Sequence, residues 1–439
     1  MSAIARYFLN QGIFVGGYDR TPSPLTHALE SEGAQIHYTD DPSLIPIPCR
    51  DKTETLVIYT PAIPADHSEL QYFRSQGFDL QKRAQVLGTL TRTLKGLCVA
   101  GTHGKTTTST LLAHIYKDSG AGCSAFLGGI SKNYDTNLLI SDNPVIVAEA
   151  DEFDRSFLQL FPSVAVITAM DADHLDIYGD VEHVREAFRA FASQVSDTLI
   201  IKYGLPIGKE DSRARILSYS YDNKEADFHA EKIVRDELGC LHFDLVYPEG
   251  RIENMHCGTP GWVNVENSVA AAAVALCGGI APEAIRKAVA SFQGVKRRFD
   301  IHFNRPGCTY IDDYAHHPKE LSSTIRAIRE VYPGRKICAI FQPHLYTRTR
   351  DFADEFAEAL SAVDKLILLD IYPARELPIP GVSSEMILGK VKCPEKLLLH
   401  KEELMDYLKK EPLDILVSFG AGDIDRFIVP ISKMLEERN

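Results

Sequence analysis

One stretch constrains this chain more than any other. The apolar run Leu97-Cys98-Val99-Ala100 passes directly into Gly101-Thr102-His103-Gly104-Lys105-Thr106, after which Leu111, Leu112, Ile115 and Tyr116 recur at helical spacing. A buried strand, a turn with two glycines and a helix are predicted in that order. The N–H groups of such a turn and the helix N-terminus converge on one point, which is the geometry of a phosphate cradle. The match is to a short variant, because Val99 stands where the eight-residue P-loop pattern has its first glycine. An incidental glycine-rich turn is the alternative, but it would have no use for the Lys-Thr pair. In the phosphate reading Gly101, Thr102, His103, Gly104, Lys105, Thr106 and Thr107 line a nucleotide. The Lys105 ammonium meets the β and γ phosphates and the Thr106 hydroxyl ligates Mg²⁺.

Two more apolar runs, Val145 to Ala148 and Val164 to Thr168, each end in polar residues. Strands alternating with helices predict a parallel sheet with ligands at its carboxyl ends. Glu149 tops the first run and is a candidate metal ligand; Asp151, Glu152 and Asp154 crowd the same loop, and a solvated acidic turn is the alternative reading. His174, in Asp171-Ala-Asp-His174, follows the next strand and could reach a second metal. Taken alone it reads as a structural histidine, and the shared sheet edge leaves the two accounts balanced. Farther on, Asp312-Asp-Tyr-Ala-His-His-Pro318 and Gln342-Pro-His-Leu-Tyr-Thr-Arg-Thr-Arg350 both sit where a strand meets a helix. His344 and Arg348 are candidates to hold a small carboxylate; a polar cluster opening a helix is the alternative. No Cys or third His lies at ligand spacing from His316-His317, so zinc is not expected.

The chain of 439 residues is about three domains long, at roughly 150 residues each. Residues 1–95 are expected to form a small α/β unit, 96–299 a central ATP-binding unit and 300–439 a third α/β unit. In the first, a strand ends at Asp19, a buried strand runs from Thr55 to Tyr59 and a polar helix from Gln81 to Leu94. In the second, the alternating stretch from 205 to 258 suggests a β-rich flap, Asn264 to Leu276 an Ala-rich helix, and Phe292 to Phe299 a linker. The net charge of −13 argues against a nucleic-acid partner, so an anionic substrate would need local cations. Nine cysteines, odd in number and without a Cys-x-x-Cys pair, suit a reducing cytoplasm. No apolar run approaches the roughly 20 residues of a membrane span, and the first residues lack the regions of a signal peptide.

Taken together, these segments resemble the ATP-dependent muramyl ligase family almost end to end. The resemblance is carried by Gly101-Thr-His-Gly-Lys-Thr-Thr-Thr108, Glu149-Ala-Asp-Glu-Phe-Asp154, Asp173-His-Leu-Asp176, Phe292-x-Gly-x-Lys-Arg-Arg-Phe299, Asp312 to Pro318, Gln342-Pro-His-x-Tyr-Thr-Arg-Thr349 and Gly420-Ala-Gly-Asp-Ile424. It implies an α/β protein of three domains: a Rossmann-like UDP-binding domain, a central P-loop ATPase-type parallel sheet and a Rossmann-like C-terminal domain. ATP and Mg²⁺ are the implied cofactors, and UDP-N-acetylmuramate and L-alanine the implied substrates, in a cytoplasmic monomer or homodimer without nucleic-acid or membrane partners. Carried over by position, Lys105 and Thr106 hold phosphate and Mg²⁺, Glu149 and His174 are metal ligands, and Asn267 and Asp313 contact the nucleotide. Arg298 lies near the phosphates and counts with Lys105 and His174 as catalytic, Tyr314, His344 and Arg348 receive the amino acid, and Asp19, Tyr59 to Ile63 and Arg83 line the UDP site. Replacing Lys105 is then expected to abolish turnover while leaving the fold intact. A recycling ligase of the family that adds a tripeptide is expected to have Phe in place of Tyr314 and no His-x-Tyr-Thr-Arg segment.

Three departures stand out. Met1-Ser2 matches the residues just after the family's diphosphate loop, so the leading strand and glycine-rich loop are expected upstream, through a misplaced start site or a truncation. The family's Gly-x-His-Asn-x-x-Asn pattern is Gly261-Trp-Val263-Asn-Val-Glu-Asn267, which voids any role for that His. No Lys lies between His174 and Lys202, so the carbamylated lysine of some sister ligases is not expected.

Overall fold

The computed structural model describes every residue except 61–62, 65, 172–177, 237–239, 375 and 439. Helix Ser2–Asn10 buries Ala3 and Ile4 and leads into two short parallel pairs. Strand β1 (Gly16–Tyr18) pairs with β2 (Gln35–His37), and β3 (Leu56–Tyr59) with β4 (Asp79–Lys82). The polar stretch expected as one helix from Gln81 begins as β4 and turns helical only at Arg83. Gln85 marks that turn by accepting the Lys82 N–H at 2.7 Å, which satisfies one of the orphan donors of a helix start.

The glycine loop follows β5 (Lys95–Ala100), which lies inside a large sheet with β6 (Ser124–Ser131), β7 (Thr136–Leu139), β8 (Val145–Ala150), β9 (Val164–Ile167), β10 (Thr198–Lys202), β11 (Arg215–Ser220), β12 (Phe228–Arg235), β13 (Leu241–Tyr247) and β14 (Gly250–His256). Among the described residues its order is β14-β13-β12-β11-β10-β9-β5-β8-β6-β7. Both neighbours of β5 run parallel to it, with Ala100 opposite Ala150 on one side and Ile167 on the other. Leu97 to Ala100 and Val164 to Ile167 are fully buried, as expected of parallel strands covered on both faces. Helix Lys105–Asp118 covers one face, with Leu112 and Ile115 inaccessible to solvent. The alternating stretch expected as a flap instead extends this sheet: β11 and β12 add in parallel, and β13 and β14 close it as antiparallel hairpin strands. Such an edge needs burial on one face only, which is why its sequence alternates.

By backbone contacts the N-terminal pairs and this sheet form one unit (Met1–Arg235, Leu241–Thr259, Asn264–Gln293), and Asp236–Cys240, Pro260–Val263 and Gly294–Asn439 form a second. The second unit holds β15 (Asp300–Arg305), β16 (Cys308–Asp313), β17 (Ile337–Phe341), β18 (Lys365–Leu369), β19 (Glu395–Leu399) and β20 (Ile415–Phe419) in the order β15-β16-β20-β17-β18-β19. Successive side chains feed opposite faces. Ile337, Ala339 and Phe341 join one core with helices Pro318–Val331 and Ala353–Leu360, while Cys338 and Ile340 join another with helices Lys401–Leu408 and Ile428–Glu437. Strand β20 inserts between β16 and β17, parallel to both, so the carboxyl ends of three strands adjoin at a crossover point. The edge strands β15 and β19 were not foreseen: β15 alternates polar and apolar residues, and the apolar run of β19 is only Leu397 to Leu399. All nine cysteines are free thiols. Among the described residues no helix is long and apolar enough to cross a membrane.

Candidate functional site

Gly101 leaves β5 with φ of +135°, a conformation that side chains disfavour, and a Cβ there would lie 2.1 Å from Thr168 Oγ1. That approach brings the end of β9 against the loop. Thr168 Oγ1 donates to the carbonyls of Ala100 and His103, and the Thr102 N–H donates to Ala169 O at 3.1 Å. Thr102 Oγ1 accepts the Asp171 N–H at 3.1 Å, and exposed His103 lies 3.4 Å from the Asp171 carboxylate. Gly104 caps the helix, its carbonyl taking the Thr108 N–H, and Thr107 is half-buried in the first turn. Thr108 Oγ1 meets Asn267 Oδ1 at 3.2 Å, which places Asn267, on helix Trp262–Cys277, beneath the loop.

Two acids, Glu149 at the carboxyl end of β8 and Glu152 in the loop after it, divide the two functional groups of the glycine loop between them. Thr106 Oγ1 donates to Glu149 Oε1 at 3.1 Å. Glu149 Oε2 accepts the Gly128 N–H at 3.2 Å, an approach open only because Gly128 has no Cβ; one would lie 2.2 Å from that oxygen. Lys105 Nζ lies 2.9 Å from Glu152 Oε1 and 2.7 Å from Oε2. Burial opposes the Lys105 charge, but Glu152, Asp151 and Glu149 outweigh it and hold the ammonium above the ordinary lysine range. A glycine turn opening a helix N-terminus, an ammonium, and a hydroxyl beside a carboxylate are groups a magnesium nucleotide requires, so these residues fit ATP and Mg²⁺. His174 lies outside the described residues, as do Pro61 and Ala62 of the expected UDP site. Asp19 is exposed just after β1, and its carboxylate accepts the Thr21 N–H at 3.3 Å. Lys202 pairs with Glu266 at 2.8 Å.

The second unit gathers its polar residues at the carboxyl ends of β16, β17 and β18. The turn before β15 is left-handed at Arg297 (φ 64°) and Phe299 (φ 46°) and is held from below by two acids. Arg297 turns inward, 2.9 Å from Asp312 Oδ2, and Ser418 donates to the other Asp312 oxygen at 2.6 Å. Asp313 accepts the N–H groups of Phe299 and Ala315 at 2.7 and 2.8 Å; burial raises its pKa to about 6 despite the nearby Arg298. Arg298 points the other way, partly exposed and 3.9 Å from Glu320. The Tyr314 ring faces both guanidinium groups, at 5.2 and 5.5 Å.

Around it stand His316, 6.1 Å ring to ring from His344, and Arg348, whose Nη1 is 3.5 Å from His344 Nδ1. Three of the residues expected to receive an amino acid therefore share one edge. Tyr372, stacked on His344 at 5.7 Å, and Glu376, which accepts from the Thr347 N–H and hydroxyl, complete that edge. Sequence reasoning missed both. Tyr372 lies just beyond the carboxyl end of β18, a position the strand-end rule for α/β sheets could have flagged. Burial lowers the His316 pKa, with Arg348 acting in the same direction and Glu320 against it.

Three descriptions of known families match the chain: the Mur ligase family catalytic domain over residues 1–94, the Mur ligase middle domain over 99–275 and the Mur ligase glutamate ligase domain over 297–422. The UDP-N-acetylmuramate–L-alanine ligase of Porphyromonas gingivalis is 51% identical over 442 residues, covering 99% of this chain and 96% of that protein. The enzyme of the same name from Parabacteroides distasonis is 53% identical over 439 residues, with 99% and 95% covered. The crystal structure of UDP-N-acetylmuramate-alanine ligase from Thermotoga maritima superposes with a TM-score of 0.81 at 26% identity, covering 100% of this chain and 96% of that one. A murein peptide ligase from Psychrobacter arcticus has the same fold, with a TM-score of 0.70 at 20% identity over 99% and 96% of the two chains.

Proposed function

This chain belongs to the Mur ligase family, and on that premise we infer that it joins L-alanine to the carboxylate of UDP-N-acetylmuramate, converting ATP to ADP and phosphate, in peptidoglycan precursor synthesis. The observation that carries this reading is identity at about half of all positions along the whole chain with ligases of that activity. The phosphate loop and the polar edge of the second unit supply the chemistry. A muramate carboxylate oxygen attacks the γ-phosphorus of ATP and ADP leaves, giving an acyl phosphate. The L-alanine amine attacks its carbonyl carbon, the tetrahedral adduct collapses, inorganic phosphate departs and the amine sheds its proton. There is little covalent work for side chains in such a sequence, so positioning and charge neutralisation dominate.

Lys105 would hold the β and γ phosphates, and the glycine-loop N–H groups would receive the remaining oxygens. Thr106 and Glu149 would hold Mg²⁺ together with His174, and that ion supplies charge neutralisation at the transferring phosphoryl group. Asn267, fixed under the loop, and Asp313 would contact the nucleotide, with Arg298 near its phosphates. Tyr314, His344 and Arg348 would receive L-alanine, the guanidinium meeting its carboxylate, and Asp19 belongs to the UDP end. We place the enzyme in the cytoplasm, which its nine free thiols support.

Phosphate release that requires UDP-N-acetylmuramate and L-alanine together is the expected result in a coupled assay. A tripeptide replacing L-alanine equally well would instead assign the chain to cell-wall recycling. In the same assay Arg348→Ala should raise the KM for L-alanine about 10- to 100-fold, as loss of a charge-assisted hydrogen bond would, with the KM for ATP nearly unchanged. Equal shifts in both constants would remove Arg348 from the amino-acid site.

A further inference from the structure

Glu152 has no part in the reaction as derived, yet it is among the most deeply buried acids of the chain, at 1% exposure. Both of its oxygens face the Lys105 ammonium, at 2.9 and 2.7 Å. Its mount is rigid. The Glu152 carbonyl accepts from Tyr178 OH at 2.7 Å and from the Arg155 N–H at 2.9 Å. Five residues along, Phe157 is fully buried, stacked on Phe191 at 5.1 Å and edge-on to Phe188. Between them Asp154 and Arg155 hold left-handed conformations, and Asp154 reaches Lys82 at 2.9 Å. The backbone that carries this carboxylate is thus anchored on both sides of Glu152, so the loop is held in place when the Lys105 side chain moves.

We propose that Glu152 is the resident counter-ion of the phosphate site: it holds the Lys105 ammonium in the nucleotide-free enzyme, phosphate takes the ammonium from it, and this exchange sets the affinity for nucleotide. The proposal rests on Lys105 being the phosphate ligand. Its physical basis is asymmetry. Phosphate gains a cation, but drawing the ammonium away leaves a carboxylate buried with its main partner lost, a costly state. Nucleotide therefore binds less tightly than the loop alone would allow, and ADP is released faster. The neighbouring acid Glu149 has a different partner, the Thr106 hydroxyl, so the two positions are separable by mutation.

The test is calorimetric titration of ADP, with and without Mg²⁺, into the wild-type enzyme and Glu152→Gln, which keeps the shape and removes the charge. The expected result is about tenfold tighter ADP binding in E152Q, with slower ADP release. Glu152→Asp, which keeps the charge but withdraws it by one methylene, should fall between the two and serves if E152Q is poorly folded. A structural residue would behave oppositely, its loss weakening ADP binding. Unchanged or weaker binding in both variants overturns the proposal. Lys105→Ala separates the two readings: if it binds ADP as well as wild type, the phosphate role of Lys105 fails. If it binds poorly while E152Q does not tighten, only the counter-ion role fails.

Discussion

Lys105→Ala is expected to lower turnover about 10²- to 10³-fold, the usual cost of losing one preorganised charge partner in a transition state, and also to lower the melting temperature. The second effect departs from what the sequence suggests, since a residue facing ligand should leave the fold intact when removed. The structure puts Glu152, 1% exposed, directly on the Lys105 ammonium. Truncating the lysine removes the cation that faces both oxygens of that carboxylate, and breaking one side of a buried pair costs about 3–5 kcal/mol. Lys105 itself is 13% exposed, so the pair is screened only slightly and the lower end of that range is the sound expectation. Thermal unfolding of wild type, K105A and K105A/E152Q checks it. The double variant should regain most of the lost stability, because its neutral amide is cheaper to bury, without regaining turnover. Stability equal to wild type in K105A would show that Glu152 does not depend on the lysine. Recovered turnover in the double variant would remove Lys105 from catalysis.

The second large effect concerns two adjacent arginines with opposite fates. Arg297→Ala should destabilise the C-terminal unit by about 3–5 kcal/mol, because Asp312, fully buried, would lose its guanidinium and, among the described residues, keep the Ser418 hydroxyl as its side-chain donor. The Arg297 guanidinium also donates to the Gly420 carbonyl, which ties the left-handed turn to the loop after β20. Arg298 is 39% exposed and lies 3.9 Å from Glu320, its nearest acid among the described residues, a pair of little worth to the fold. Arg298→Ala should therefore unfold within about 0.5 kcal/mol of wild type while losing most of its turnover. Urea unfolding alongside turnover separates the two. Equal losses of stability in both variants would contradict the inward and outward assignment.

Much of the fold was legible before any coordinates. Strands β5, β8 and β9 were readable because buried parallel strands leave continuous apolar runs, and the helix after the glycine loop because four apolar residues recur at its period. Local patterns identify what is buried, so they missed what is buried on one face only. Strands β15 and β19 were overlooked at sheet edges, β4 was folded into the helix behind it, and the stretch up to His256 was taken for a separate flap rather than the far side of the central sheet. The candidate site shows the same boundary. Lys105, Thr106, Glu149, Tyr314, His344 and Arg348 were proposed from the sequence because strand ends and short motifs are local signals. Tyr372, Glu376 and the separate roles of Glu149 and Glu152 were not, because each depends on a contact between distant segments.

The sequence by itself determined the order strand, glycine loop, helix, the family, and the residue types available for phosphate and amino-acid chemistry. Only the tertiary structure decided which acid meets which cation. Thr106 and Glu149 are 43 residues apart and Lys105 and Glu152 are 47 apart, joined because β8 lies directly beside β5. Periodicity reports which face of an element is apolar, whereas strand order is settled by packing all elements at once. A buried charge takes the partner that this packing delivers.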